Sequence, residues 1–171
     1  MAVQEFNLAT GQRAERKLLI TVAEWMEGSQ QVREILGTRT EDSSIDYNPD
    51  IETTTDILGI NYTDMNRTQP QQDFDPFLIL GGSKLGAKLN DIRRRNALSE
   101  LSQFTVYIIT AFIGSASEGY AAEKHTGCTI AYNSIGGDTN VNFPISVYYS
   151  NKITTGTVNK LADDFEFTAD V

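Results

Sequence analysis

Nine carboxylates stand between Glu41 and Asp75 (Glu41, Asp42, Asp46, Asp50, Glu52, Asp56, Asp64, Asp73 and Asp75), against one cation, Arg67. Clustered carboxylates can ligate calcium, act as acid and base on a glycosidic bond, or repel a polyanion. Asp46 to Asp50 and Asp73-Phe74-Asp75 offer oxygen ligands but lack the glycine and terminal glutamate of an EF-hand loop. A glycosidase pair lies in a cleft that tunes its two pKa values. Neither signal is specific, and a solvated surface is the plainer reading of each carboxylate taken singly.

The remaining catalytic inventory is thin. His125 is the only histidine and Cys128 the only cysteine, so the H-x-x-C they form has no second ligand pair and fails as a structural zinc site on count. A surface strand residue is the expectation for His125. No serine sits in a G-x-S-x-G elbow. The pairs Gly81-Gly82 and Gly136-Gly137 lack the Lys-Ser/Thr of a phosphate loop. Gly81-Gly82-Ser83 precedes a helix start, where an anion could bind but a plain helix N-terminus is expected. These absences predict a protein that is not an enzyme and holds no cofactor or metal.

Arg93-Arg94-Arg95 is the one basic cluster. Consecutive helical residues fan around the axis, so the three do not make one basic face. Arginine suits bidentate carboxylate recognition. Lys84, Lys88, Arg93, Arg94 and Arg95 are therefore read as partners for carboxylates of a neighbouring subunit or of the same chain.

The segment 41–75 carries a net charge of −8 within a chain of net −9 over 171 residues. The rest is nearly neutral. Such a balance disfavours a protein that grips phosphates, which needs clustered Lys and Arg. The same segment is rich in β-branched residues (Ile45, Ile51, Thr53, Thr54, Thr55, Ile57, Ile60, Thr63) and carries a turn signal at Asn48-Pro49-Asp50. A disordered acidic tail lacks those strand formers. Residues 41–76 thus read as an extended acidic loop or hairpin held out by a compact body.

The length predicts one domain, 1–171, with a substantial core. No apolar window approaches the ~20 residues that span a bilayer. The first residues show no apolar leader, so no signal-peptide secretion is expected. A single cysteine rules out an intrachain disulfide and suits a reducing compartment.

Residues 1–16 show no period and read as a flexible arm or a strand that docks on a neighbour. Lys17 to Met26 reads as a core strand, and Gln31 to Thr40 as a second after the turn at Gly28. Lys84 to Leu98 is the one helix: Leu85, Leu89 and Ile92 recur at i, i+4 and i+7, and Leu98 and Leu101 continue the stripe. Gly86 costs roughly 1 kcal/mol there against alanine, marking a loose or closely packed first turn. Phe104 to Ile113 reads as a strand buried on both faces, and Tyr120 to Tyr132 as a longer, more polar strand or bent pair. Val141, Phe143, Ile145, Val147 and Tyr149 alternate with polar residues, but Pro144 cannot donate to a ladder and predicts an edge or a bulge. Ile153 to Asn159 and Asp164 to Ala169 add short strands. The sum is a mainly β domain of six to nine strands: two packed antiparallel sheets, as a sandwich or split barrel, with one flanking helix. An acidic arm beside a basic helix on such a body points to self-assembly through head-to-tail contacts.

The residues Glu41-Asp42-Ser43-Ser44, Asp46, Asn48-Pro49-Asp50 and Glu52-Thr53-Thr54-Thr55-Asp56-Ile57 make the chain resemble bacteriophage major tail tube proteins. Pro70-Gln71-Gln72-Asp73-Phe74-Asp75-Pro76 and Asp91-Ile92-Arg93-Arg94-Arg95-Asn96-Ala97-Leu98 continue that resemblance, which spans roughly Leu36 to Leu161. It implies a structural virion protein that forms hexameric rings, stacked into a hollow tube through which DNA passes without tight binding. A long loop then reaches the adjacent ring, here through Glu41, Asp42, Asp46, Asp50, Glu52, Asp56 and Asp64. The implied partners are the chain itself and a tape measure, a tail terminator and a baseplate or tip. The implied location is the virion tail, assembled in the bacterial host cytoplasm. A tube protein of a tailocin or other contractile injection machine is the alternative, and a β-scaffold hydrolase or ligand binder the third reading.

Overall fold

The structure is a computed structural model that describes residues 3–171. Its strands are β1 (Leu19–Glu27), β2 (Gln30–Ile35), β3 (Ile45–Asp46), β4 (Asp50–Thr55), β5 (Asn61–Arg67) and β6 (Gln71–Phe74). After the helix α1 (Lys84–Arg95) come β7 (Phe104–Ser115), β8 (Gly119–Tyr132), β9 (Ile145–Tyr148), β10 (Ile153–Val158) and β11 (Phe167–Ala169). The sandwich with one helix is as the sequence predicts. Among the described residues the strands number eleven, above the expected six to nine, because short pieces such as β3 and β6 carry too few residues to show a period.

All pairing is antiparallel. One sheet runs β2-β1-β7-β8-β10-β11 and a second runs β8-β9-β6-β3, so β8 belongs to both. The handover occurs at Gly127. Thr105 faces Thr126 while Phe104 faces Cys128, which leaves Gly127 as the extra residue of a bulge at φ 73°. A bulge bends its strand and raises its twist, and past this point β8 takes β9 in place of β10. Polar and apolar residues therefore do not alternate in one register along β8, the reason its sequence reads as a bent pair.

β1 and β7 are covered on both faces, as their apolar runs predict. Ala23, Trp25, Phe104, Val106 and Ile108 join Phe74, Ile130, Ile145, Val147 and the α1 residues Leu85, Leu89 and Ile92 in one core. On the opposite face, Val22, Tyr107, Ile109, Ala122 and Val158 form a second core beneath Phe165 and Phe167. Each fully buried side chain of this size is worth about 1.5–3 kcal/mol relative to exposure. The main core is crossed by a polar thread: Gln72 Oε1 accepts from Thr21 Oγ1 at 3.0 Å and from the Tyr149 hydroxyl at 2.7 Å. Gln72 Nε2 in turn donates to Ser43 Oγ at 3.1 Å. His125 is buried rather than on the surface, with Nδ1 3.1 Å from the Ser150 carbonyl and its ring edge-on to Tyr149.

Other elements differ from their sequence reading: β2 ends at Ile35 rather than Thr40, and β11 covers only Phe167–Ala169 of the expected Asp164 to Ala169. The helix stops at Arg95 because Asn96 turns left-handed at φ 54°. Leu98 then lies exposed in a 3-10 turn, and only Leu101 reaches the core. The Val141–Tyr149 alternation yields a strand over Ile145–Tyr148 alone. That strand is interior to its sheet, between β8 and β6, since Pro144 falls just before it and removes no ladder bond. The N-terminal arm, whose residues 1 and 2 lie outside the described residues, meets its own chain. Asn7 Nδ2 donates to the carbonyls of Ala111 and Gly114, where β7 bulges away from β8, and Phe6 packs edge-on to Phe112. The bulge frees those carbonyls and Asn7 satisfies them.

Candidate assembly interface

The acidic segment 41–76 divides in two. Its ends belong to the body: β3 pairs with β6, β6 with β9, and Gln72 and Phe74 are buried. Its middle is a hairpin in which β4 and β5 pair only with each other, and every residue of both strands is exposed.

The hairpin is closed by a side chain. Asp56 Oδ1 accepts from the backbone N–H of Leu58 at 2.8 Å and of Ile60 at 3.0 Å, and Oδ2 accepts from the Tyr62 hydroxyl at 3.2 Å. These bonds, that from Ile60 foremost, hold the Asp56 carboxyl below the usual aspartate value. Gly59 supplies the positive φ of 78° that the turn requires. The result is a defined tip on which Ile57 and Leu58 stand outward, Ile57 fully exposed.

Register gives the hairpin two unlike faces. Ile51 faces Met65, Thr53 faces Thr63 and Thr55 faces Asn61, an uncharged side knit by the bond from Thr55 Oγ1 to Asn61 Oδ1 at 2.6 Å. On the other face Glu52 stands directly opposite Asp64, beside Thr54 and Tyr62. Like charges in that position destabilise a ladder. Arg67 lies 3.6 Å from Asp50 at the base, and Asn66 donates to Glu52. A free two-stranded hairpin is marginal in water, and this one adds a charge conflict and an unburied Ile-Leu-Ile-Tyr-Met set.

The carboxylates predicted to act together are spread out. Glu41 and Asp42 lie in the irregular stretch before β3, Asp46 is in β3, and Asp50, Glu52, Asp56 and Asp64 are in the hairpin. Among the described residues, no three His, Cys, Asp or Glu side chains converge as a metal site.

The basic residues also separate into two groups. Glu100 receives Lys88 at 2.9 Å and Arg95 at 3.0 Å, Arg95 also holds Asp91 at 2.7 Å, and Lys84 holds Asp163 at 3.2 Å. The pairing with Arg95, then Lys88, pulls the Glu100 carboxyl down to about 2. Arg93 donates to Asn90 Oδ1 at 2.9 Å. Arg93 and Arg94 form no ion pair among the described residues and are exposed.

Two further polar contacts were silent in the sequence. Glu34, from β2, accepts from Ser83 Oγ at 2.9 Å and from Leu85 N–H at 2.8 Å, so the helix N-terminus already holds an anion of its own chain. Arg33 Nε donates to Glu24 at 2.6 Å, and Tyr107 donates to the same carboxylate at 3.1 Å. The only available signal was the spacing of Glu24 and Arg33 around the Gly28 turn, which puts them opposite each other.

No protein family matches the chain's sequence, and no curated protein does. The fold does have solved counterparts. A chain in the cryo-EM structure of the anti-feeding prophage cap, the AFP tube terminating cap, is similar at TM-score 0.50 and 13% identity, over 92% of this chain and 99% of that one. A chain of the PVC sheath-tube complex of an extracellular contractile injection system, in its extended state, is similar at TM-score 0.47 and 11% identity, over 86% and 94%. A chain of the six-fold symmetrised AFP baseplate is similar at TM-score 0.46 and 9% identity, over 90% and 100%. At these identities the likeness is one of fold.

Proposed function

We propose that this chain is a non-enzymatic subunit of a phage tail tube, forming hexameric rings that stack into a hollow conduit for DNA. The observation that carries the reading is the hairpin 50–67. It is folded but unsupported, with apolar residues and opposed carboxylates that only another molecule can cover or neutralise. The fold shared with the anti-feeding prophage cap supports it. So does the acidic balance, since a duplex with one charge per ~1.7 Å would stick to a cationic wall and slide past an anionic one. Its partners on this reading are further copies of itself and the tape measure, terminator and baseplate or tip proteins. Its place is the virion tail, assembled in the host cytoplasm.

The likeness to a tube terminating cap favours one second reading, a tube or cap subunit of a tailocin or other contractile injection machine. Negative-stain microscopy of purified protein tests both readings against a soluble monomer. Six-fold rings or hollow rods are expected, and a uniform monomer in images and in sizing would overturn both. The gene neighbourhood separates the two: capsid and terminase genes alongside indicate a phage.

A further inference from the structure

The body carries a concave apolar surface that its own chain leaves open. Ile79 and Leu80 form one wall, tied by the bond from Ile79 N–H to the Val141 carbonyl at 3.0 Å. Val141 and Ile135 form the other, and Gly86, Ala87 and Asn90 of α1 close the floor around a groove of about 320 Å3. Ile79, Leu80, Val141 and Ile135 are each exposed, an apolar patch of the kind that marks interaction sites. Gly86 fits the floor closely: a Cβ there would crowd the capping Ser83 Oγ at 3.0 Å, while Ile79 Cδ1, at 3.6 Å, would be in ordinary contact.

Beyond Asn90, α1 carries two cations that form no ion pair among the described residues. Asn90, Arg93 and Arg94 share the α1 face that continues from Gly86 and Ala87 at i+3 and i+4 spacing. Arg93 is held there by its bond to Asn90 Oδ1. Lys84, Lys88 and Arg95 are spent on carboxylates of their own chain; these two arginines are not. The exposed hairpin ends in an apolar tip, Ile57 and Leu58, fixed by Asp56 and followed down the hairpin by Glu52 and Asp64. The seven residues of β5 span about 20 Å along the hairpin.

We propose that the groove is the receptor for the hairpin tip of a second copy of this chain. Ile57 and Leu58 enter between Ile79, Ala87, Ile135 and Val141, while Arg93 and Arg94 meet the carboxylates behind the tip. The contact is heterologous, tip to groove, so it repeats from copy to copy rather than closing a two-fold dimer. It rests on the tube reading in assigning the arm its receptor.

Disulfide capture tests it. One preparation of the full chain carries Leu58→Cys, another Ala87→Cys, and the two are mixed under mild oxidation; both positions are exposed, and native Cys128 is buried. A covalent heterodimer is expected, lost when Val141→Asp is added to the groove partner. It is not expected when Ser117→Cys, exposed in the β7–β8 turn, replaces Ala87→Cys. Linkage confined to the 58–87 pair supports the proposal. Absence of linkage, or equal linkage at 117, overturns it. Micrographs of the same mixtures keep the two readings apart. Rods without 58–87 linkage sink the groove and leave the tube standing, and linkage without rings or rods does the reverse.

Discussion

The Arg33 guanidinium donates to the Phe165 carbonyl at 2.5 Å and lies 4.2 Å from the centre of that residue's ring. One side chain thereby holds the C-terminal segment over the second core, while its Nε neutralises Glu24. Arg33→Ala removes all three contacts and leaves Glu24 buried without a cation. Breaking a buried pair on one side costs about 3–5 kcal/mol. Urea unfolding should show a loss of that order, with Glu24→Gln in the same chain recovering part of it.

Tyr107 reports on the same place at high pH. Burial first, and then the Glu24 charge, raise its hydroxyl from the ordinary 10.0 to about 12. The folded state keeps a proton that the unfolded chain gives up, so the contribution is complete below pH 10 and is lost as pH climbs through about 12. Alkaline unfolding curves should steepen across that window. Tyr107→Phe should flatten it while leaving behaviour at neutral pH closer to the parent.

Glu100 gives the opposite limb. Its carboxylate, lowered to about 2 by Arg95 and then Lys88, contributes fully above its ordinary 4.5 and progressively less as pH falls toward 2. Glu100→Gln should therefore lower the melting temperature at pH 7 and make little difference at pH 2. Equal effects at both pH values would show that the ion pairs do not act.

Removing the hairpin should leave the body intact. With residues 51–66 replaced by Asn-Gly, a two-residue turn suited to antiparallel strands, the buried cores lose nothing. Thermal melts should match the parent within about 0.5 kcal/mol, as for surface changes, while rods disappear from micrographs. Normal rods from the shortened chain would refute the arm's role in stacking.

The sequence made the central strands, the helix and the arm readable for separate reasons. The runs at 104–113 and 17–26 are apolar on successive residues because both faces of β7 and β1 are covered. Leu85, Leu89 and Ile92 show their period because only one side of α1 is buried. The arm announced itself by charge. Its true limits did not, because β6 buries Gln72 and Phe74 between residues as polar as those of the exposed hairpin. The groove was equally hidden: Ile79 comes from the connection between β6 and α1, and Ile135 and Val141 from the one between β8 and β9, which only the fold brings together. The division of cations into paired and unpaired depended on Glu100 and Asp163, which lie outside the helix they neutralise.

The bulge at Gly127 separates two properties that a strand ordinarily sets together. Side-chain facing comes from alternation, and curvature here comes from one supernumerary glycine with open space around it. Excising that single residue would leave His125 and Cys128 pointing the way they point now and would straighten the ribbon between them. The angle between the two halves of the body is thus written in one backbone unit, tunable without redrawing either interior.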